Sequence, residues 1–168
     1  MRLLLSEKQV QQKVKALAKE ISRDFSGQEV LFIGVLKGAF IFMADLARKM
    51  TIPVKMDFVR LASYGSRTRP SGRIKFNKDL ETPLRGKDVL IVEDIIDTGT
   101  TLKHLYQCFQ ARKPRSLKIV ALLDKPGRRK VDLRVDYVGF QIENHFVVGY
   151  GLDWAEKYRN LDGIYVLK

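Results

Sequence analysis

Residues 89–101 read VLIVEDIIDTGTT, and this stretch decides the fold. It opens with four apolar residues, three of them β-branched, which is typical of a short buried strand in a parallel sheet. Acidic residues follow at once, then hydroxyl residues around Gly99, and an apolar period resumes at Leu102. This order predicts a β–loop–α unit. In open α/β sheets, ligands bind at such loops, at the carboxyl ends of the strands.

The two halves of this loop suit different parts of one ligand. Gly99 lets the backbone turn tightly and point amide N–H groups into one small volume, where the start of the next helix adds its positive dipole end. Hydroxyl donors for a phosphate come from Thr98, Thr100 and Thr101. Glu93 and Asp94 would repel a phosphate, but they can accept hydrogen bonds from a sugar diol or bind hydrated Mg²⁺. The loop therefore predicts a phosphorylated sugar as the ligand.

In its Val-Glu-Asp-Ile-Ile-Asp-Thr-Gly form, residues 92–99, the stretch resembles the phosphoribosyl-pyrophosphate (PRPP) signature of the type I phosphoribosyltransferases, in particular their hypoxanthine-guanine branch. The resemblance covers roughly residues 31–167. It implies an α/β fold in which a mainly parallel central sheet is flanked by helices, with a small hood near the C-terminus and a flexible lid loop. We expect one phosphoribosyltransferase domain over residues 1–168, with the lid at about 63–75 and the hood at about 137–168.

A second β–loop–α unit is predicted at residues 30–49, where the apolar run VLFIGVL precedes Lys37 and Gly38. A lysine beside exposed amide groups forms a small anion site. The resemblance makes Leu36, Lys37 and Gly38 the pyrophosphate loop, and it implies a cis peptide bond between Leu36 and Lys37. By its position, Arg159 would contact pyrophosphate as well.

Residues 63–73 are rich in glycine, serine and arginine and have no apolar period, so they predict a long loop. From composition alone this could be a basic loop without a role. In the family that the chain resembles, a Ser-Tyr pair leads a lid that closes over pyrophosphate, and here that pair is Ser63 and Tyr64. A closed lid would shield the reacting sugar from water.

The base site is implied by the resemblance. Lys125 follows a predicted strand at residues 117–123 and would donate to O6 of the purine, which favours 6-oxopurines over adenine. Phe146 would stack on the base and Val147 would meet its edge through the backbone. Asp153 would bind Mg²⁺ through water, and its neighbourhood would sense a 2-amino group.

The expected reaction is purine salvage, in which hypoxanthine and/or guanine and PRPP give IMP or GMP and pyrophosphate. Asp97 is the expected general acid/base for the N7 proton of the purine. The cofactor is Mg²⁺, with Glu93, Asp94 and Asp153 as its predicted residues. The ribose and phosphate of PRPP are expected on Glu93, Asp94, Asp97, Thr98, Gly99, Thr100 and Thr101.

Two further segments are interpreted without a catalytic role. The run Arg128-Arg129-Lys130 is interpreted as a solvated turn. Glu143-Asn144-His145 stands where the family has a Pro-Asp-Lys-like turn, so we expect the hood to differ there.

The net charge of +12, from 31 basic and 19 acidic residues, favours a polyanionic partner, either nucleic acid or a small substrate with several phosphates. The acidic loop favours the small substrate. A PRPP-sensing, nucleic-acid-binding regulator on the same fold and a xanthine-preferring phosphoribosyltransferase remain alternatives.

The remaining composition bears on location and partners. With no run of 18 apolar residues we expect no membrane span, and three leucines near the N-terminus are too few for a signal-peptide core. The single cysteine, Cys108, suits a reducing cytoplasm. The resemblance also implies a homodimer or homotetramer.

Overall fold

The computed structural model describes residues 1–62 and 74–167. Ser63, Tyr64 and most of the predicted lid lie outside the described residues, so their role stays a prediction.

Six strands form a large sheet in the order β4–β3–β2–β5–β6–β7. Every neighbouring pair is parallel except β3 with β4, which is antiparallel, so the prediction of a mainly parallel sheet is confirmed. The central strands are buried on both faces, as their continuous apolar runs predict. The strands are β2 (Val30–Leu36), β3 (Val54–Leu61), β4 (Phe76–Lys78), β5 (Asp88–Ile96), β6 (Ser116–Asp124) and β7 (Tyr137–Gln141).

Three helices cover the two faces of this sheet: α1 (Glu7–Asp24), α2 (Phe40–Lys49) and α3 (Thr100–Gln110). Successive residues of a strand point to opposite faces, so each central strand contributes to two cores. Phe32 and Leu90 belong to the core with α1 and α2, whereas Ile33 and Ile91 belong to the core with α3. In the described part of the chain, no helix has the length and apolar character needed to cross a membrane.

The start of α1 is encoded locally. The Ser6 side chain accepts a hydrogen bond from the Gln9 amide, and the Gln9 side chain accepts one from the Ser6 amide. This is a capping box, which satisfies amide groups that the first turn of a helix leaves without partners. The predicted start at Ser6 is confirmed.

A small second sheet has the order β1–β9–β8, with β1 at Arg2–Leu5, β8 at Val147–Val148 and β9 at Ile164–Val166. The sequence did not predict β1, because its pairing partner is β9 at the other end of the chain. The strand β7, which lies at the start of the predicted hood range, is the edge of the large sheet and pairs with β6.

The parallel order brings three loops to one edge of the large sheet. Because β2, β5 and β6 are adjacent and parallel, the residues that follow their carboxyl ends lie side by side. Lys37, Asp97 and Lys125 follow these three strands. The peptide bond between Leu36 and Lys37 is cis, as the resemblance implied.

Gly139 in β7 provides a test of how tightly the edge of the sheet is packed. A Cβ at this position would lie 2.4 Å from the carbonyl oxygen of Leu122, a backbone atom that cannot move aside. Gly139→Ala should therefore lower the free energy of unfolding by about 1–3 kcal/mol in urea denaturation. Gly127→Ala is the matched control, because a Cβ there meets nothing within 4 Å. Equal stability of the two variants would contradict this close packing.

Candidate active site

A cavity of about 360 Å³ lies at the carboxyl edge of the large sheet. Its lining joins the pyrophosphate loop, the acidic loop, the end of β6 and the segment after β8. The predicted site residues that line it are Lys37, Gly38, Asp94, Asp97, Lys125, Phe146, Val147, Asp153 and Arg159.

Glu93 and Asp94 form a partly buried carboxylate pair at this edge. The Asp94 amide donates to Glu93 Oε1 at 3.1 Å, and the Ile95 amide donates to Asp94 Oδ1 at 2.7 Å. Burial and then the charge of Asp94 raise the pKa of Glu93 well above its ordinary value. Burial also raises the pKa of Asp94, although the nearby charge of Arg159 opposes this. A cation or a pair of hydroxyl donors would stabilise the ionised pair.

The predicted acidic loop is the last part of β5 instead, because the strand continues through Glu93 and Asp94 to Ile96, and there Asp94 is in direct contact with the pyrophosphate loop. A Cβ on Gly38 would lie 1.7 Å from Asp94 Oδ2, so only glycine allows this approach. Gly38 is in turn covered by Gly151, where a Cβ would lie 2.3 Å from the Gly38 carbonyl oxygen. The end of β5 and two loops, at Gly38 and at Gly151, are therefore stacked on one another at the cavity.

The donor set around the carboxylate pair fits Mg²⁺ bound together with a substrate. Among the described residues, no three His, Cys, Asp or Glu side chains gather into a group that could hold a metal. Glu93, Asp94 and Asp153 thus do not form a three-carboxylate metal site. Asp153 Oδ1 instead lies 3.0 Å from Arg159 NH2. Magnesium usually takes one or two carboxylates and completes its shell with water and substrate phosphates. The pair is sufficient for that mode of binding.

The phosphate half of the loop has the predicted geometry. Gly99 is left-handed, with φ of 80°, and stands immediately before α3. Gly99, the N-cap residue, has no side chain to cap this helix start, so amide groups of the first turn are available to a ligand. Thr98 Oγ1 accepts weakly from the Thr100 amide at 3.4 Å.

Asp97, the predicted general acid/base, is held by two cations. Arg128 Nε donates to Asp97 Oδ1 at 2.8 Å, and Lys125 Nζ lies 3.4 Å from Asp97 Oδ2. Burial raises the pKa of Asp97, but the hydrogen bond from Arg128 and the charges of Lys125 and Arg128 outweigh burial and lower the pKa overall. Asp97 is therefore an ionised carboxylate at neutral pH.

The interpretation of residues 128–130 as a solvated turn holds only in part, because Arg128 and Lys130 are exposed but the segment also contacts the site. Arg128 contacts Asp97, and the Lys130 amide donates to the Thr98 carbonyl at 2.9 Å. Arg129 is only 17% exposed and bonds Asp124. The segment thus lies along the phosphate loop. Sequence reasoning missed this because a run of charges shows no register against a distant loop.

Arg129 is the clearest residue that the sequence did not single out. Its Cδ lies 2.9 Å from where a Cβ on Gly99 would be. Its Nε and NH1 atoms are buried and have no hydrogen-bond partner among the described residues. The sequence signal that was available is Asp124, an acid at the end of a buried strand, which needs a cationic partner such as Arg129.

Glu156 forms ion pairs with both Lys37 and Arg159, the two cations expected to bind pyrophosphate, and the sequence did not predict this contact. Glu156 lies 2.7 Å from Lys37 Nζ and 3.3 Å from Arg159 NH2. The hydrogen bond from Lys37 lowers the pKa of Glu156. Arg159 also donates to the Gly151 carbonyl at 2.8 Å, which ties it to the stacked loops.

The base side combines an exposed ring with a buried cation. Phe146 is 55% exposed, which is unusual for a large apolar side chain and excludes a role in the core. Lys125 is only 6% exposed and Val147 is buried beside it. In the turn where the sequence departs from the family pattern, His145 Nε2 lies 3.2 Å from Glu143.

Comparisons with known proteins agree with this geometry. The model of the phosphoribosyl transferase domain family matches residues 4–154. The hypoxanthine-guanine phosphoribosyltransferase of Bacillus subtilis is 52% identical over 167 residues, which are 99% of this chain and 93% of the relative. That of Aquifex aeolicus is 46% identical over 169 residues, covering 100% of this chain and 95% of the relative.

Solved structures give the same result. A crystal structure of a Bacillus anthracis hypoxanthine-guanine phosphoribosyltransferase, with a HEPES molecule in its active site, has a TM-score of 0.96 and 52% identity, covering 100% of this chain and 99% of the other. A hypoxanthine phosphoribosyltransferase from Staphylococcus aureus has a TM-score of 0.95 and 45% identity, covering 100% and 91%. The chain belongs to the hypoxanthine-guanine phosphoribosyltransferase family of the type I phosphoribosyltransferases.

Proposed function

We propose that the protein transfers the phosphoribosyl group of PRPP to hypoxanthine and/or guanine, forming IMP or GMP and pyrophosphate with Mg²⁺. The observation that carries the proposal is the stacking of Asp94 on Gly38 beside the start of α3. This stacking supports a ribose diol and a pyrophosphate at one cavity, with the phosphate at the start of α3 that follows Asp97. The named relatives support the same reaction.

In this proposal, PRPP spans the cavity. Its 5-phosphate binds the amide and hydroxyl groups of residues 97–101, and its ribose diol binds Glu93 and Asp94. Pyrophosphate binds the loop of Leu36, Lys37 and Gly38, together with Arg159 and the lid residues Ser63 and Tyr64. Pyrophosphate would replace Glu156 as the partner of both Lys37 and Arg159.

Glu93 and Asp94, with Asp153 through water, would hold Mg²⁺ in this proposal. When bound, the ion neutralises the charge of the pyrophosphate leaving group. The protein's contribution is the carboxylate pair itself, whose mutual repulsion in a partly buried position is relieved by a cation.

The base binds on the opposite side of the sugar. It stacks on Phe146, meets the backbone of Val147, and is oriented by Lys125, which donates to O6. The C1–O bond of PRPP breaks first and leaves positive character on the sugar, and N9 of the base then closes on C1. Asp97, which Arg128 and Lys125 keep ionised, accepts the proton that leaves N7 of the base.

The proposal extends to organisation and location. The chain is one phosphoribosyltransferase domain, with a lid at about 63–75 and a hood at about 137–168, in the cytoplasm. It forms a homodimer or homotetramer, and the exposed side chains of Phe40 and Met56 beside an apolar groove support such contacts. Light scattering on the purified protein measures this, and a monomer at micromolar concentration would contradict it.

The alternatives have no support from the relatives described above, none of which is named as a regulator or as a xanthine enzyme. One assay distinguishes the proposed function from these alternatives. PRPP and Mg²⁺ are supplied with hypoxanthine, guanine, xanthine, adenine or uracil, and nucleotide formation is followed for each. We expect turnover of hypoxanthine and/or guanine. Turnover of xanthine alone, or salt-dependent RNA binding without turnover of any base, would refute the proposal.

Asp97→Asn tests the proton-transfer role. We expect kcat to fall about 100-fold or more, while the KM for PRPP changes less than about threefold, because the proton is handled only during reaction. Asp79→Asn is the matched control, since Asp79 also pairs with an arginine, at 2.8 Å from Arg112, but does not line the cavity. Equal losses in kcat and PRPP affinity for Asp97→Asn would contradict the assigned role.

Glu93→Gln tests the electrostatic cost of the carboxylate pair. Because the pKa of Glu93 is raised in the folded state, its ionisation destabilises the ligand-free protein above its ordinary pKa. The variant should be more stable near neutral pH by about 0.5–2 kcal/mol, and the gain should shrink as the pH falls towards about 4. PRPP binding should weaken.

Thermal unfolding between pH 5 and pH 8 measures this effect. Glu29→Gln is the control, because Glu29 forms a surface ion pair with Lys55 at 3.2 Å, and such pairs contribute about 0–1 kcal/mol. A Glu93→Gln protein that is less stable than wild type at neutral pH would show that the carboxylate pair is not under strain.

A further inference from the structure

A buried hydrogen bond behind the cavity connects two of the stacked loops through a helix. The Tyr150 hydroxyl donates to Asp45 Oδ2 at 2.5 Å, and both residues are less than one-tenth exposed. Asp45 lies on α2, the helix that follows the pyrophosphate loop, and Tyr150 lies between Gly149 and Gly151. Neither residue lines the cavity.

The turn that holds Tyr150 has an unusual backbone. Gly149, Tyr150 and Gly151 are three consecutive left-handed residues, with φ of 100°, 51° and 97°. A left-handed tyrosine is uncommon, so its side chain must be held by its surroundings. The Tyr150 amide also donates to the Leu161 carbonyl at 2.8 Å, and the Gly151 amide donates to the Arg159 carbonyl at 2.9 Å.

This turn carries the pyrophosphate side of the site. Gly151 packs on the Gly38 carbonyl and accepts from Arg159 NH1 at 2.8 Å. Asp153, two residues later, pairs with Arg159 at 3.0 Å. A shift of the turn would therefore move Arg159 relative to Gly38, the glycine that contacts Asp94.

Asp45 is a fixed anchor for the turn. Besides Tyr150 it accepts from Gln11 Nε2 of α1 at 2.8 Å and forms an ion pair with Arg48. Burial raises the pKa of Asp45, but its three hydrogen-bond donors more than offset this and lower the pKa overall. Asp45 is thus an ionised acceptor, and hydrogen bonds to ionised acceptors are about twice as strong as neutral ones.

We propose that Tyr150 and Asp45 are positioning residues, whose hydrogen bond sets the spacing between the pyrophosphate loop and Arg159. The inference rests on the proposed function, because it assigns pyrophosphate to that spacing. It predicts that the bond is needed for binding pyrophosphate groups and not for binding hypoxanthine, which lacks the 2-amino group expected near Asp153 and contacts the other side of the cavity.

The chain offers a chemically matched control for this bond. Tyr137 OH donates to Asp24 Oδ2 at 2.8 Å, and Tyr137 is also buried, but this pair joins β7 to the end of α1 away from the cavity. Tyr150→Phe and Tyr137→Phe each remove one hydroxyl group from a tyrosine–aspartate bond. A merely structural role predicts the same kinetic consequences for both.

The test compares KM values and pyrophosphate binding. Tyr150→Phe should raise the KM for PRPP about fivefold or more, the scale of one lost hydrogen bond to a charged group, and leave the KM for the base within about twofold. Tyr137→Phe should change neither KM by more than about twofold. Equal rises in both KM values for Tyr150→Phe, or the same KM values in the two variants, would overturn the inference.

Two additional measurements keep the test decisive. Asp45→Asn retains an acceptor oxygen for Tyr150, so it should raise the KM for PRPP less than Tyr150→Phe does. If Tyr150→Phe does not fold, Asp45→Asn replaces it in the test. An unchanged KM for PRPP in Asp45→Asn would then count against the inference. The double variant should have the same KM for PRPP as Tyr150→Phe alone, because the inference assigns the change in this KM to the one bond that both changes affect, whereas additive effects on it would overturn the pairing.

Calorimetric titration with pyrophosphate and Mg²⁺ separates this inference from the proposed function. A wild-type protein that converts no base would refute the proposed function, but its pyrophosphate affinity could still be compared with that of Tyr150→Phe. Wild-type turnover with unchanged pyrophosphate affinity in Tyr150→Phe would refute the positioning role alone.

Discussion

The contact between Asp94 and Gly38 is the constraint on which the rest of the site depends. It exists because β2 and β5 are adjacent parallel strands, so the loops at their carboxyl ends must meet. A side chain at position 38 would collide with the carboxylate, because a Cβ there would lie 1.7 Å from Asp94 Oδ2. The stacking of Gly151 on the same glycine extends this constraint to Asp153 and Arg159.

The electrostatics of the site follow from its ion pairs. The chain carries a net charge of +12, yet each cation of the cavity is paired with an acid: Lys37 with Glu156, Lys125 with Asp97, and Arg159 with Asp153. Buried or partly buried cations without partners would be costly, so the acids stabilise the ligand-free site. Phosphate groups of a substrate can exchange with these acids. The uncompensated strain is instead at Glu93 and Asp94, where burial raises the pKa of both carboxyl groups and the charge of Asp94 raises that of Glu93 further.

Support for this arrangement comes from outside the cavity. Asp45 joins α1, α2 and the turn at Tyr150 through one buried carboxylate, and Arg129 covers the phosphate loop while it pairs with Asp124. None of these groups lines the cavity, but they restrict the loops that do. A precise site on loops needs such a supporting layer, because loops alone do not hold side chains within the tolerance that catalysis requires.

The sequence by itself determined the elements with local signals, and its resemblance in one loop identified the family to which the chain belongs. The capping box at Ser6, the apolar runs of β2 and β5 and the tight turn at Gly99 before α3 depend on neighbours in the chain, and each was predicted correctly. Only the tertiary structure decided the pairing of β1 with β9, the place of β7 at the sheet edge, and the burial of Arg129. The same holds for Glu156 between Lys37 and Arg159, because ion pairs and strand pairs between distant segments depend on register and packing, which leave no periodic trace in the chain.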